Sequence, residues 1–320
     1  MSFGRRGRSL GLTAFALALG VGAVMPVQAQ QGRQPAAKCD PSRALGVSRV
    51  IEIDTSTGPR FGHQQYKELD LLAEGEVILT FDDGPLRVHT QAVVDALETQ
   101  CTKATFFMVG SQALADPDMV RQIMRRGHTV GTHTWGHVNL RQLSPLAARQ
   151  ELELGFSAVT LAAGQPIAPF FRFPFLADSK AMRAHGENRQ LGIFSIDVDS
   201  LDYRHKENPQ AVRDEVMNQL AYQKKGILLF HDIQPSTAAA LPSVLASLKA
   251  KGFKVVQLKA KATATTLPEF DAMAQREMGK KRVARASDPL ANRAVTWARP
   301  SQVPGAAAMT LPPSTGAGQP

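Results

Sequence analysis

The chain is poor in cysteine, in long apolar runs and in net charge outside its ends. Only Cys39 and Cys101 carry thiols among its 320 residues, so a single intrachain bridge is the most it can form and a disulfide-dense scaffold is excluded. In an oxidising compartment that bridge would pin the N-terminal segment to the body; two buried free thiols are the alternative. The apolar stretch over residues 10–24 falls short of the roughly 20 residues that a spanning helix needs, which argues against a stable membrane anchor. The formal net charge is +9, but Arg5, Arg6 and Arg8 stand ahead of that stretch, and from Lys259 onward nine Lys and Arg face four Asp and Glu. The body between is close to neutral, which argues against nucleic acid as a partner.

What stands at the N-terminus is the pattern of an export leader. Three arginines precede the uncharged apolar stretch, and Val27-Gln28-Ala29 offers small residues at the spacing a signal peptidase reads. A leader over residues 1–29 implies a periplasmic or secreted protein. Residues 30–75 read as an N-terminal extension packed on the main domain, with one strand-like stretch, Val50-Ile51-Glu52-Ile53, and then a polar connection from Thr55 to Gln65. From Val77 short apolar runs alternate with helical stretches, as repeated βα units around a mostly parallel sheet require. Seven strands are expected, over 77–81, 104–109, 129–132, 169–173, 192–198, 226–230 and 254–258. Asp116-Pro117, Ser144-Pro145 and Asn208-Pro209 are helix starts, and Gly127, Gly164 and Gly226 mark the ends. The domain over 76–260 is therefore α/β, a barrel closed or incompletely closed, whose functional groups gather where strands run into loops. Residues 261–320 pass from basic, Ala/Thr-rich sequence into Pro, Gly, Ala and Ser, a composition that leaves a mostly disordered tail, apart from an amphipathic turn around Phe270 to Met278 that can dock. This basic tail offers a contact for anionic envelope polymers, or is simply solvated.

Chemistry-bearing side chains follow the expected strands. Asp82-Asp83-Gly84-Pro85 ends the first. An Asp-Gly step alone is ordinary turn chemistry, yet a site that keeps two adjacent carboxylates usually supplies a cation for one and a different task for the other. His133-Thr134-Trp135-Gly136-His137 sets two imidazoles four residues apart. One helical turn would bring them to the same face, although two surface histidines are the ordinary explanation of such a pair. With Asp83 they form a two-His, one-Asp donor set that leaves positions for water and substrate, as in catalytic zinc sites. Asp82 is then free to accept a proton. Arg172-Phe173-Pro174-Phe175 follows the fourth strand; the arginine can orient Asp82 through paired hydrogen bonds or form a surface ion pair. Asp199-Ser200-Leu201-Asp202-Tyr203 and Leu229-Phe230-His231-Asp232 follow the fifth and sixth, where His231 is placed to act as a general acid beside a carboxylate. Of the other histidines, His63 reads as a surface residue, His128 as a satisfied core residue within a strand, and His89, His185 and His205 as exposed.

In this order the five stretches resemble the motif series of the polysaccharide deacetylases, carbohydrate esterase family 4, whose domain is also called the NodB-homology domain. The likeness covers about residues 77–258. It implies a distorted (β/α)7 barrel and a metal-dependent hydrolase that removes N-acetyl groups from an aminosugar polysaccharide such as peptidoglycan, chitin or an exopolysaccharide, releasing acetate. An O-deacetylase acting on acetylated xylan and a carbohydrate-binding protein without turnover are the rival readings. The resemblance implies that Asp82 is the catalytic base and that Asp83, His133 and His137 hold a divalent metal, zinc first, with cobalt or another divalent ion as alternatives. It makes Arg172 the residue that orients the base, the Phe175 N–H the partner of the metal at the oxyanion, and Asp202 the carboxylate that tunes His231 as the acid. Leu229 and Tyr203 become walls of the acetyl pocket. Tyr203 stands where Trp is common in the family and Phe175 where Tyr is common, departures that bear on pocket polarity or size.

Overall fold

A computed structural model describes residues 39–287; the expected leader and the last part of the tail lie outside the described residues. The N-terminal extension supplies β1 (Arg49–Ile53) and a two-residue β2 (Arg60–Phe61). The main domain then runs β3 (Glu76–Asp82), α1 (Arg87–Thr99), β4 (Thr105–Met108), α2 (Gly110–Ala115), α3 (Pro117–Arg125), β5 (Thr129–Thr132), α4 (Pro145–Ala163) and β6 (Phe170–Phe171). It continues through α5 (Lys180–Asn188), β7 (Gly192–Phe194), β8 (Val198–Asp199), α6 (Pro209–Gln223), β9 (Gly226–His231), α7 (Pro235–Ala250), β10 (Lys254–Ala260) and α8 (Pro268–Ser287). No helix among the described residues is long and apolar enough to cross a membrane.

The helix starts lie where Pro and a capping side chain coincide. Asp116, Ser144 and Asn208 each accept a hydrogen bond from a first-turn amide, and a proline stands at the next position. Gly164 closes α4 in the left-handed conformation, while Lys224, rather than Gly226, closes α6.

Every strand pair is parallel. The order β8-β9-β3-β4-β5-β6-β7-β2 curls into a distorted (β/α)7 barrel of β3 to β9, with no ladder from β2 to β8 among the described residues. The expected seven strands were differently made up. The run 192–198 breaks into β7 and β8 because it crosses the open seam: Ser195 N bonds Phe61 O on one side and Asp197 N bonds Ile227 O on the other. The Asp197 carboxylate stitches that seam, accepting from His63 N at 2.6 Å and from Ile227 N at 2.7 Å. The run 169–173 shortens to β6, and the expected polar connection contains β2. β10 meets β3 only at Glu76 and Val77 and pairs with β1 from Val256 to Ala260.

The period of two along each strand sorts the core. On β3, Val77, Leu79 and Phe81 pack outward under the helices, whereas Ile78 joins Phe107, Phe170, Phe194 and Phe61 inside the barrel. Thr80 and Asp82 share the inward side, and both are bonded by the buried Arg172. An apolar run such as Val77-Ile78-Leu79 thus feeds two cores at once, as a strand covered on both faces must.

Cys39 and Cys101 form a disulfide with their Cα atoms 5.5 Å apart, joining the extension to the end of α1 across 62 residues. The docking turn expected near Phe270 is longer than expected: α8 buries Ala274 and packs Phe270, Met273 and Met278 against the outer core. His128 is buried just ahead of β5 rather than within it, and its Nδ1 accepts from Ala104 N at 3.2 Å while Nε2 has no hydrogen-bond partner. His89, His185 and His205 are half-buried, not exposed. His185 is held there by Glu153, whose buried carboxylate lies 2.7 Å from its Nε2.

Candidate active site

Adjacent strand residues point to opposite faces, so Asp82 and Asp83 would part if β3 simply ran on. Asp83 instead takes a φ of 77°, a left-handed conformation that Asp tolerates better than most residues. Both carboxylates then face His133 Nε2, Asp82 Oδ2 at 3.8 Å and Asp83 Oδ1 at 3.6 Å. Gly84 follows for a steric reason: a Cβ there would lie 2.1 Å from Asp232 Oδ2. Asp232 is itself buried, accepts from Thr90 Oγ1 at 2.6 Å, and is pushed up to about 7 by burial.

His133 leaves the end of β5 with its amide bonded to Met108 O and its ring Nδ1 2.7 Å from Arg172 O. A carbonyl only accepts, so Nδ1 carries the proton and Nε2 presents a lone pair to Asp83. Burial lowers His133 to about 4, against the pull of Asp82, which favours the neutral ring that a metal ligand needs. The segment from His133 to His137 is not helical. Thr134 and His137 take positive φ, Gly136 N bonds the Glu151 carboxylate at 2.8 Å, and Trp135 N bonds Glu151 O. The His137 amide, which a helical turn would use, bonds Thr134 Oγ1 at 3.1 Å instead, and the loop still brings the two rings to 5.0 Å.

Asp83, His133 and His137 offer three donor atoms within 4.8 Å of one another. Asp83 Oδ1 lies 3.1 Å from His137 Nε2, yet this buried oxygen completes no hydrogen bond of its own. Burial opposes its charge, but His137 and His231 hold Asp83 well below the ordinary carboxylate range. An ionised, otherwise unsatisfied oxygen facing two imidazoles is a donor set that fits a divalent cation.

Arg172 is fully buried, so it is no surface ion pair. Its Nη1 donates to Asp82 Oδ1 and Thr80 Oγ1, both at 2.8 Å, and Nη2 donates to Ser195 O at 3.0 Å. The expected paired bonds to Asp82 are therefore a single bond, with the rest of the fork spent on the barrel interior and its plane over Phe107. Across the sheet Asp82 stands in register with His231 on β9. Asp202 Oδ1 accepts from His231 Nδ1 at 2.7 Å, and its Oδ2 accepts from both His231 N, at 2.6 Å, and Thr237 Oγ1. Burial works against the charged ring, but Asp202, helped by Asp83 and Asp82, outweighs it and raises His231 to about 10.

The cleft between these groups measures about 440 Å³. Asp82, Asp83, His133, His137, Leu229 and His231 line it, with Phe175 and Tyr203 at its rim, 65% and 37% exposed. Phe175 packs on His137, and the Tyr203 ring meets His231 edge-on. Arg172 and Asp202 stand behind it as fully buried supports. A larger cleft of about 540 Å³ lies over the seam beside His63, Asp70 and Lys225; it gathers no comparable set and shares Gln64 with the first. Sequence reading missed Thr80, Ser195, Thr237 and Asp232. Only Asp232, next to His231, carried a local signal.

The family described as polysaccharide deacetylase matches residues 72–193. A peptidoglycan-N-acetylglucosamine deacetylase of Listeria monocytogenes is 34% identical over 183 residues, which cover 57% of this chain but only 38% of that protein. A peptidoglycan-N-acetylglucosamine deacetylase of Bacillus cereus is 30% identical over 186 residues, covering 56% of this chain and 84% of that one. Among solved structures, a peptidoglycan deacetylase of Bdellovibrio bacteriovorus superimposes with a TM-score of 0.62 at 30% identity, over 71% of this chain and 63% of its own.

Proposed function

We propose that this chain, which belongs to the polysaccharide deacetylase family, is an exported metal-dependent hydrolase that removes N-acetyl groups from an aminosugar polysaccharide, with the peptidoglycan glycan strand as its first candidate substrate. The observation that carries the reading is the pairing of Asp82 with His231 across β3 and β9, beside the Asp83, His133, His137 donor set. Asp83, His133 and His137 would hold the metal, which when bound supplies Lewis-acid polarisation of the acetyl carbonyl and acidifies water. Asp82 accepts the proton of the attacking water, its Oδ1 held by Arg172. The Phe175 N–H donates to the oxygen on which charge develops. His231, kept protonated by Asp202, gives its proton to the departing amine. Acetate and a free glucosamine unit result. Leu229 and Tyr203 bound the space for the acetyl methyl.

Export is supported by the leader pattern and by the Cys39–Cys101 bridge, which suits an oxidising compartment. The basic tail would then meet anionic envelope polymers.

Acetate release decides the matter. Purified protein is offered peptidoglycan glycan strands, chitooligosaccharides and acetylxylan, with and without chelation and metal return. Metal-restored release from the first is expected. Release from acetylxylan alone would make it an O-deacetylase, and binding without release from any substrate would leave a non-catalytic binding protein.

A further inference from the structure

We propose that the N-terminal turn over residues 62–66, through Gln65 and Tyr66, is a positioning element for the deacetylation proposed above, on which this inference rests: it holds the loop that presents the Phe175 N–H. The turn lies ahead of residue 72, where the family match begins, and sequence reading gave it only a packing role.

The loop needs such a hold. Phe175 and Leu176 take φ values of 59° and 52°, and consecutive non-glycine residues in the left-handed region persist only where their surroundings over-determine them. Phe175 is 65% exposed, so burial of its ring contributes little. Two side chains of the turn reach the loop from outside. Gln65 Nε2 donates to Leu176 O at 2.7 Å, on the residue following the N–H in question, and Tyr66 OH donates to Asp178 Oδ2 at 2.8 Å. Tyr66 is buried, and Arg183 holds the same Asp178 oxygen at 2.6 Å.

The turn is itself fastened to the catalytic side of the barrel. Gln65 Oε1 accepts from Ser195 Oγ at 2.8 Å, and the Ser195 carbonyl accepts from Arg172 Nη2 at 3.0 Å. One amide group thereby joins the backbone beside Phe175 to the residue whose carbonyl helps hold the guanidinium on Asp82. Gln64 N bonds Ile196 O, and Tyr66 N bonds Gly62 O. Gly62 lets the turn sit this close: at φ 98° a Cβ would fall 2.6 Å from the Ser195 carbonyl carbon.

Gln65→Glu tests the proposal, because it preserves shape and the acceptor for Ser195 while removing the donor to Leu176. Since loss of an oxyanion donor costs 10²- to 10³-fold, displacing one should lower kcat by about tenfold, with KM within about twofold. Melting temperature should stay at the wild-type value, and residues 173–178 should exchange amide hydrogens faster. Tyr66→Phe should move kcat and loop exchange in the same direction by less. A loss that merely follows a fall in melting temperature, or an active wild type whose kcat and loop exchange are unchanged by Gln65→Glu, overturns this proposal alone. A wild-type protein that releases acetate from no substrate overturns the deacetylase reading, and the catalytic role of the turn falls with it.

Discussion

Asp82 and His231 occupy registered positions on neighbouring strands, whereas His133, His137 and Phe175 hang on loops whose backbone turns left-handed at Thr134, His137, Phe175 and Leu176. The first side is set by ladder hydrogen bonds and by fully buried supports, Arg172 and Asp202. The second depends on side chains borrowed from elsewhere, Glu151 of α4 and Gln65 of the extension. The proposed proton-transfer groups thus sit on the stiff wall, and the two histidine donors for the metal and the proposed oxyanion donor on the adjustable one. Substitutions on the stiff wall should change chemistry at nearly constant geometry. Those behind the adjustable wall should change geometry with every reacting group still present.

The largest effect tests the stiff wall. Asp82→Asn keeps an acceptor for Arg172 but removes the base, and acetate release should fall by roughly 10²- to 10⁴-fold with metal content unchanged. Activity retained within about tenfold would remove Asp82 from the chemistry.

A middling effect tests the other wall. Glu151→Ala frees the Gly136 amide and the loop that carries His137, so metal affinity in a competitive chelator titration should fall by about 10- to 100-fold, as for other supports of ligands. Activity should return at saturating metal. A loss that metal does not restore would mean that the loop matters for more than the donor set.

The smallest effect at neutral pH concerns Asp202. Because Asp202, with Asp83 and Asp82, raises His231 to about 10, the proposed acid stays protonated through neutrality and is lost only as pH rises through that value. In Asp202→Asn the ring should titrate closer to the ordinary histidine value of about 6.5, and a ring at that value is about fourfold short of the protonated form at pH 7 and shorter above it. The alkaline limb of kcat/KM should therefore move to lower pH. An unmoved limb would mean that another group sets it.

Much of the site was legible because it recurs at strand ends. Asp82, Arg172 and His231 could be placed from the order of apolar runs and the residues that follow them, and Asp202 from the family resemblance. The rest depended on contacts invisible to a local reading. The spacing of His133 and His137 suggested a helical turn, but Thr134 Oγ1 takes the His137 amide that such a turn would use, and Glu151, from the following helix, takes those of Trp135 and Gly136. The run 192–198 looked like one strand because nothing in its composition marks the seam where it changes partners. Gln65 lay in what read as a polar connection, and its importance comes wholly from Ser195 and Leu176, more than a hundred residues away.

By itself the sequence determined the βα rhythm, the helix starts and the supply of ionisable groups at one end of the barrel, since these follow from periodicity, capping and turn chemistry within a few residues. Only the tertiary structure decided that Asp83 turns back beside Asp82, that Arg172 is buried with a single bond to Asp82, and that the extension reaches the loop of Phe175. Each of these depends on which distant backbone atoms are left to accept or donate once the sheet has curled, and that is a property of the closed fold rather than of any stretch of chain.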